Sequence, residues 1–220
     1  VTFAPLPRDE WGTGDYVLGK VIEHAAGIYD VESTTGRIVK VNGGSLVAGA
    51  LGTRVATLEA VGDWREVGDD LRMHALTSAG VFGRTTSASP FTWPLLAPLH
   101  YEGHIHLNGE PVRMRDCADE VQPRPLTAPV VLVIGTSMSA GKTTTVITLI
   151  RHLCRRGLRV AGAKVTGVAR YREILGMSDV GADPVVDFVD AGLPSTICPP
   201  AEYQDALARM CSRLQEGEPD

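Results

Sequence analysis

The chain has 220 residues, 44% hydrophobic and 21% charged, with 24 Gly, 14 Pro and a formal net charge of −5. That is length for one large or two small domains, with apolar residues enough for packed cores. Acidic residues outnumber basic ones, which argues against a broad nucleic-acid-binding face, and no apolar run approaches the length of a membrane span.

From the N-terminus, segments 16–22, 36–41, 46–50 and 53–60 are rich in Val and Leu, separated by turn signals such as Asn42-Gly43-Gly44 and Gly62-Asp63. Segments 71–83 and 101–107 read as further strands, and no helical period of useful length precedes Pro129. Short strands at this spacing predict a mostly β N-terminal domain over residues 1–122, either a small barrel or a sandwich. His100, His104 and His106 form an H-x-x-x-H-x-H pattern. On a strand the last two share a face, as two metal ligands would need; the same pair also reads as the polar face of a strand at a rim. Trp11, Trp64 and Trp93 are far apart and not interleaved with Lys or Arg, which reads as packing, not a base-stacking platform. Cys117, Cys154, Cys198 and Cys211 are scattered without a C-x-x-C, and no charged-then-apolar leader opens the chain. The expectation is a cytoplasmic protein with reduced, buried thiols. Pro123, Pro125 and Pro129 mark 123–129 as an extended, fairly stiff linker.

Residues 130–220 read as an α/β domain. The apolar run 130–134 predicts a strand, and it leads into a glycine-bounded loop from Gly135 to Gly141-Lys142-Thr143, read as a phosphate-binding loop of the G-x-x-x-x-G-K-[ST] kind. A phosphate chain needs many donors and positive potential in a small space. A loop entering a helix N-terminus supplies both, through backbone N–H groups and the positive end of the helix dipole. Gly135 and Gly141 permit close approach of the backbone. Thr136, Ser137, Ser139, Ala140 and Thr144 line the rest of the cradle. Lys142 would reach the β- and γ-phosphates, and the Thr143 hydroxyl would hold Mg²⁺. The predicted cofactors are ATP or GTP with Mg²⁺.

Val146, Ile147, Leu149, Ile150, Leu153 and Cys154 give 143–156 the stripe of a helix packed on a sheet, closed by Arg155, Arg156 and Gly157. Segment 158–163 predicts a second buried strand, and strand, helix and strand in this order imply a right-handed crossover and a parallel pair. Lys164 follows at the carboxyl end of that strand, the edge where parallel sheets bind ligands. With Lys142 it is a candidate to neutralise phosphate or substrate carboxylate in catalysis. Arg170 and Arg172 read either as a clamp for an anion or as a solvated loop. Asp187 and Asp190 bracket Phe188; Asp187 is a candidate Mg²⁺ ligand and also reads as a turn cap. Pro199-Pro200 then precede a helix at 201–214, whose face of Tyr203, Ala206, Leu207, Met210, Cys211 and Leu214 reads as core. About 90 residues follow the start of this domain, without an apolar strand ending in Asp or Glu after Leu214. The parallel sheet is expected to be incomplete in this chain, finished by further chain or by a second copy in a homo-oligomer.

Gly135-Thr136 leading into Gly141-Lys142-Thr143, the turn Lys164–Gly167 and the pair Ser178-Asp179 together resemble dethiobiotin synthetase and its relatives among the P-loop ligases and amidotransferase-linked synthetases. The segment Val185-Val-Asp-Phe-Val-Asp-Ala-Gly192 is similar to one in a less characterised group of P-loop proteins with an extra N-terminal domain. In outline, the first half resembles the small β-barrels attached to P-loop domains in translation factors. The dethiobiotin synthetase resemblance implies that Lys164 contacts substrate or phosphate and that Asp179 joins Thr143 around Mg²⁺. The chain departs from that family at positions 137–140, Ser-Met-Ser-Ala where acidic residues are usual, and at Val165, where a proline commonly stands. These departures leave the substrate open. Position 137 is not lysine, which argues against the partition-ATPase branch.

The reading is a Mg²⁺-dependent nucleoside-triphosphate-binding enzyme: an ATP-dependent ligase or kinase-like activator of a small anionic, carboxylate-type substrate, or an NTP hydrolase. One alternative is a nucleotide-dependent switch, with 168–184 as the moving element. Another is a cofactor-biosynthesis accessory GTPase or ATPase, similar to the guanine-dinucleotide adaptors of molybdenum cofactor assembly, which share the loop and the Lys-x-Thr-Gly turn. No membrane or nucleic-acid partner is expected.

Overall fold

A short strand cannot bury its apolar face alone, so the N-terminal segments are stable only as neighbours in a sheet. The structure, a computed structural model, describes residues 1–23, 27–89, 96–118, 120–136, 140–168 and 170–220. Its first half holds β1 (Thr2–Ala4), β2 (Tyr16–Val21), β3 (Tyr29–Glu32), β4 (Ile38–Val41), β5 (Leu46–Leu51), β6 (Thr53–Val55), β7 (Ala60–Asp63), β8 (Arg72–Ala75), β9 (Val81–Ala88), β10 (Pro98–Leu107) and β11 (Glu110–Pro111). β3 and β4 form a separate hairpin, and the others share one sheet. The pairings β10–β2, β2–β5, β5–β9, β9–β8 and β8–β10 return to their start, with β5–β9 parallel and the rest antiparallel. β1 and β11 extend this set beside β10, and β7 and then β6 extend it beside β9. The half is mostly β, as expected; five strands close on themselves, but the sheet is mixed and extended by strands outside that ring, so it is not a clear barrel.

Alternation along β2 buries Val17 and Val21, which meet Val47, Leu51, Met73, Phe82, Leu99 and Tyr101 in one apolar core. Trp11 and Trp64 belong to that core. The Arg8 guanidinium lies over their rings at 4.3 and 5.1 Å, and donates to the carbonyls of Val67, Trp64 and Arg65. Trp93 lies outside the described residues.

Among the described residues, the histidines belong to no group of three His, Cys, Asp or Glu side chains placed to hold a metal. A register shift in β10 between Tyr101 and Gly103 breaks the period of two, so Gly103 and His104 are both buried. His104 lies between the Tyr101 hydroxyl, 2.6 Å from its Nδ1, and Asp15 Oδ2, 3.2 Å from its Nε2. His100 is exposed, with Nδ1 3.3 Å from Glu102 Oε1. All four cysteines are free; Cys117 is exposed and the others half-buried, so the expected burial of the thiols is only partial.

The second half holds α1 (Lys142–Cys154), β12 (Gly162–Lys164), α2 (Tyr171–Ser178), β13 (Val185–Asp187) and α3 (Pro200–Glu216). β12 and β13 pair in parallel, with Gly162 opposite Val185, Ala163 opposite Val186 and Lys164 opposite Asp187. Successive strand residues face opposite sides. Val185 therefore joins Ile150 of α1, Met177 of α2 and Ala182 just beyond α2, whereas Val186 meets α3 through Ala206, Met210 and Leu214. The expected strand at 130–134 does not form. Val130, Val131, Leu132 and Ile134 are 67–81% exposed, and among the described residues β12 pairs only with β13. A strand exists only when a neighbour accepts its backbone hydrogen bonds, and an apolar run cannot supply that neighbour itself. No helix among the described residues is long and apolar enough to cross a membrane.

Candidate nucleotide-binding site

Five residues, 136–140, separate Gly135 from Gly141. The G-x-x-x-x-G-K-[ST] spacing has four, so its first glycine position falls on Thr136, and Gly135 stands one place earlier. Gly141 has φ +84 immediately before α1, a left-handed conformation that suits glycine. Its missing side chain would face open space. The Lys142 stem folds back over the loop: a Cβ on Gly135 would stand 3.0 Å from Lys142 Cγ, 3.1 Å from Cδ and 3.4 Å from Ala140 Cβ. Lys142 and Thr143 are half-buried, while Thr136, Ala140 and Thr144 are exposed; Ser137 and Ser139 lie outside the described residues. The backbone N–H of Thr145 is the one that reaches back to Gly141 O, at 2.9 Å. The amides before it, at the start of the helix, precede any intrahelical acceptor and are disposed to meet an anion.

The chain then turns back. Gly157, at φ +85, ends the first helix, and Leu158 N bonds to Leu153 O at 3.3 Å. The returning segment places Val160 in one apolar cluster with Ile150, Met177 and Ala182, and β12 runs on from it to Lys164, toward the edge where α1 begins. α2 runs alongside: Gly176 faces Ile147 and Gly181 faces Cys154. Its N-terminus therefore lies at the same edge.

At that edge Lys164 Nζ donates to Val168 O at 2.8 Å and forms an ion pair with Glu173. Its register partner Asp187 is buried, 2% exposed. Asp187 Oδ1 accepts from Val189 N at 2.8 Å, and Asp190 Oδ2 accepts from Asp187 N at 2.8 Å, so both carboxylates cap this turn. Burial pushes the Asp187 carboxyl up to about 6, and Asp190 adds to the rise. Among the described residues, no group of three His, Cys, Asp or Glu side chains is placed to hold a metal. Mg²⁺ ordinarily binds through one or two protein oxygens plus phosphate and keeps several waters, and the oxygens this half would offer it are those of Thr143 and Asp187.

Asp179 is elsewhere. It caps the C-terminal end of α2 and lines a shallow surface with Arg151, Cys154 and Arg155. Eight residues of helix separate Thr143 from Arg151, a rise of ~12 Å at ~1.5 Å per residue. The structure thus places Asp179 at the far end of α1 and does not bring it to Thr143. Arg170 stands at the N-terminus of α2, half-buried, and the Arg172 side chain is exposed.

Two further contacts join this edge to the first half. Glu32 of β3 accepts from the first amides of α2, Tyr171 N at 2.9 Å and Arg172 N at 3.1 Å. In the turn after β13, Ser195 Oγ donates to Thr53 O at 2.7 Å, and Pro194 packs on Gly52. Neither Glu32 nor Glu173 was visible as a site residue in the sequence. Glu32 lies 139 residues before its partner Tyr171, and Glu173 belongs to no spacing pattern.

Residues 118–180 match the model of a P-loop domain. That family is described as "Domain of unknown function (DUF1611_C) P-loop domain". The match covers the loop, α1, β12 and α2, and it supports nucleotide binding at this loop. The chain is also 37% identical over 96 residues to a cobyric acid synthase of Chloroflexus aggregans, a stretch that is 43% of this chain and 20% of that protein. The chain thus spans about a fifth of the length of that relative. No solved structure matches the chain.

Proposed function

We propose that this chain binds a nucleoside triphosphate with Mg²⁺ at Gly135–Thr144 and uses it to activate a small anionic, carboxylate-type substrate, as an ATP-dependent ligase or kinase-like enzyme. The observation that carries this reading is the start of α1, where the Lys142 stem lies over Gly135 and a left-handed Gly141 turns the chain into the helix. The P-loop match and the likeness to a cobyric acid synthase support it. When bound, Mg²⁺ would offset the charge of the phosphates, held by Thr143 and, through the strand end, Asp187. Lys142 neutralises phosphate at the loop. Lys164, at the same edge, offers a second cation for the terminal phosphate or the substrate anion. Such a site works by positioning and charge neutralisation, with little covalent chemistry asked of the protein. The same reading assigns the exposed run 130–134 to a sheet finished by further chain or by a second copy.

A thermal-shift titration of MgATP against MgGTP tests it, because a ligand bound only by the folded state raises the melting point. One nucleotide should raise the melting temperature of the chain and leave that of Lys142→Ala unmoved. No shift with either nucleotide would overturn the reading. A second reading, a nucleotide-dependent switch, is favoured by one observation: Glu32 of the β-rich half holds the amides of α2, the helix that carries the partner of Lys164.

A further inference from the structure

We infer that Glu173 is the positioning residue of Lys164, and that the β3–β4 hairpin, through Glu32, fixes where Glu173 stands. The Lys164 ammonium is held within its own neighbourhood by Val168 O and Glu173, and the two charged side chains are only 18% and 25% exposed. Glu173 sits in the first turn of α2, whose inner face, Ile174 and Met177, is buried. That helix has no cap of its own, since the Arg170 side chain makes no capping hydrogen bond. A helix start leaves unpaired amides, and a carboxylate there is favoured by the dipole. Glu32 supplies it from the other half of the molecule, one oxygen to each of two successive amides. The hairpin turn is seated on the same helix: Gly36, at φ +78, lies so close that a Cβ there would stand 2.7 Å from Leu175 Cδ1. Hairpin, helix, Glu173 and Lys164 thus form one chain of contacts, running from the β-rich half to the nucleotide edge.

The consequence is a competition. A terminal phosphate drawn to Lys164 must take the ammonium from Glu173, and displacing Glu173 disturbs the helix that Glu32 caps. Because coupling between two sites is reciprocal, a phosphate that weakens the hairpin contact is itself bound more weakly while the contact holds. This deepens the nucleotide reading and rests on it. A diphosphate, which has no terminal γ-phosphoryl to claim Lys164, escapes the competition.

The test compares the wild-type chain with Glu173→Gln by calorimetric titration of MgATP and MgADP, or of the guanine pair if the thermal screen selects it. The expected result is triphosphate binding tightened about five-fold or more in Glu173→Gln, the lower end of common coupling factors, with diphosphate binding unchanged. A purely structural role for Glu173 would move both nucleotides together. Glu173→Asp, which keeps the charge, should return triphosphate affinity toward the wild-type value. In the wild-type chain, MgATP should also speed hydrogen exchange at the Tyr171 and Arg172 amides, and MgADP should not. Equal triphosphate affinity in wild type and Glu173→Gln, or a parallel change for both nucleotides, overturns the role of Glu173 and leaves nucleotide binding standing. Unchanged exchange at those two amides overturns the part given to the hairpin. No binding by either chain overturns the nucleotide reading and this inference together.

Discussion

Replacing Asp187 by asparagine should stabilise the second half of the molecule at neutral pH while impairing the site. The carboxyl is 2% exposed, and its folded-state value lies at about 6 against an ordinary 3.8, chiefly because burial disfavours its charge and secondarily because of Asp190. Below the ordinary value the group is protonated in both states, and nothing is lost. As pH rises from about 4 to about 6 the unfolded chain releases its proton first, so stability falls across this window, and above it the full penalty stands. At ~1.36 kcal/mol for each pH unit between the two values, the penalty is up to ~3 kcal/mol. Asparagine removes the charge and keeps an oxygen for the Val189 N–H. Urea unfolding followed by the far-ultraviolet helix signal reads this half, because α1, α2 and α3 all lie in it. With a slope of about 2 kcal/mol per molar urea, the variant's midpoint should exceed the wild type's by up to ~1.5 M at pH 7, with the gap closing near pH 4. Wild-type and variant curves that run parallel from pH 4 to 7, or a variant less stable at pH 7, would refute the reasoning. MgATP should then protect the wild type more than the variant, since a bound cation offsets the buried charge.

In the β-rich half, Tyr101→Phe removes the oxygen that accepts from Leu6 N at 3.1 Å and pairs with His104 Nδ1 at 2.6 Å. Two buried or half-buried groups lose a partner, so the cost should be about 1–3 kcal/mol. Tryptophan fluorescence reports it, because Trp11 stacks on Tyr101 with centroids 4.3 Å apart; an unchanged unfolding midpoint would contradict the network. Ile150→Ala empties the contact between α1, α2 and β13 and should cost about 2–5 kcal/mol by the helix signal. A cost below ~1 kcal/mol would mean that α1 is not seated as described. The amides of 130–134, outside any strand pairing among the described residues, should exchange with solvent as fast as a loop. Strong protection there would show that the segment has found a neighbouring strand.

What could be read in advance was whatever local pattern decides. Gly157 after an apolar stripe, and Pro199-Pro200 before one, placed α1 and α3 within a few residues. The loop before α1 was legible because phosphate binding demands small residues and a lysine in a fixed order, although its length is one residue more than the common spacing. Segment 53–60 read as a single strand, yet Ala56 N bonds to Ala60 O across a turn, and the chain doubles back as β6 and β7. The turn residues, Thr57 and Leu58, carry no Gly or Pro to announce it. β1 was missed because three residues before a proline have no period; it is made by pairing with β10. α2 was read as loop or moving segment, since Gly176 interrupts a short pattern. Its stability comes from Ile174 and Met177 against the core and from a cap that lies far away in sequence.

The misreading of 130–134 and the misplacement of Asp179 share a cause with these. In both, a local motif was extended to a contact that only a third element could make. An apolar run becomes a strand when another strand lies beside it. A carboxylate becomes a ligand when the helix carrying it points its near end at the phosphate. α2 points its N-terminus to the nucleotide edge, so Glu173 in its first turn reaches Lys164, and Asp179 at its C-terminal cap cannot. The direction of one eight-residue helix therefore decides which acidic residue speaks to the site, and that direction is held from outside by Glu32 and the hairpin. In the proposed reading, the β-rich half thereby acts on the site without contributing a group that touches the phosphates.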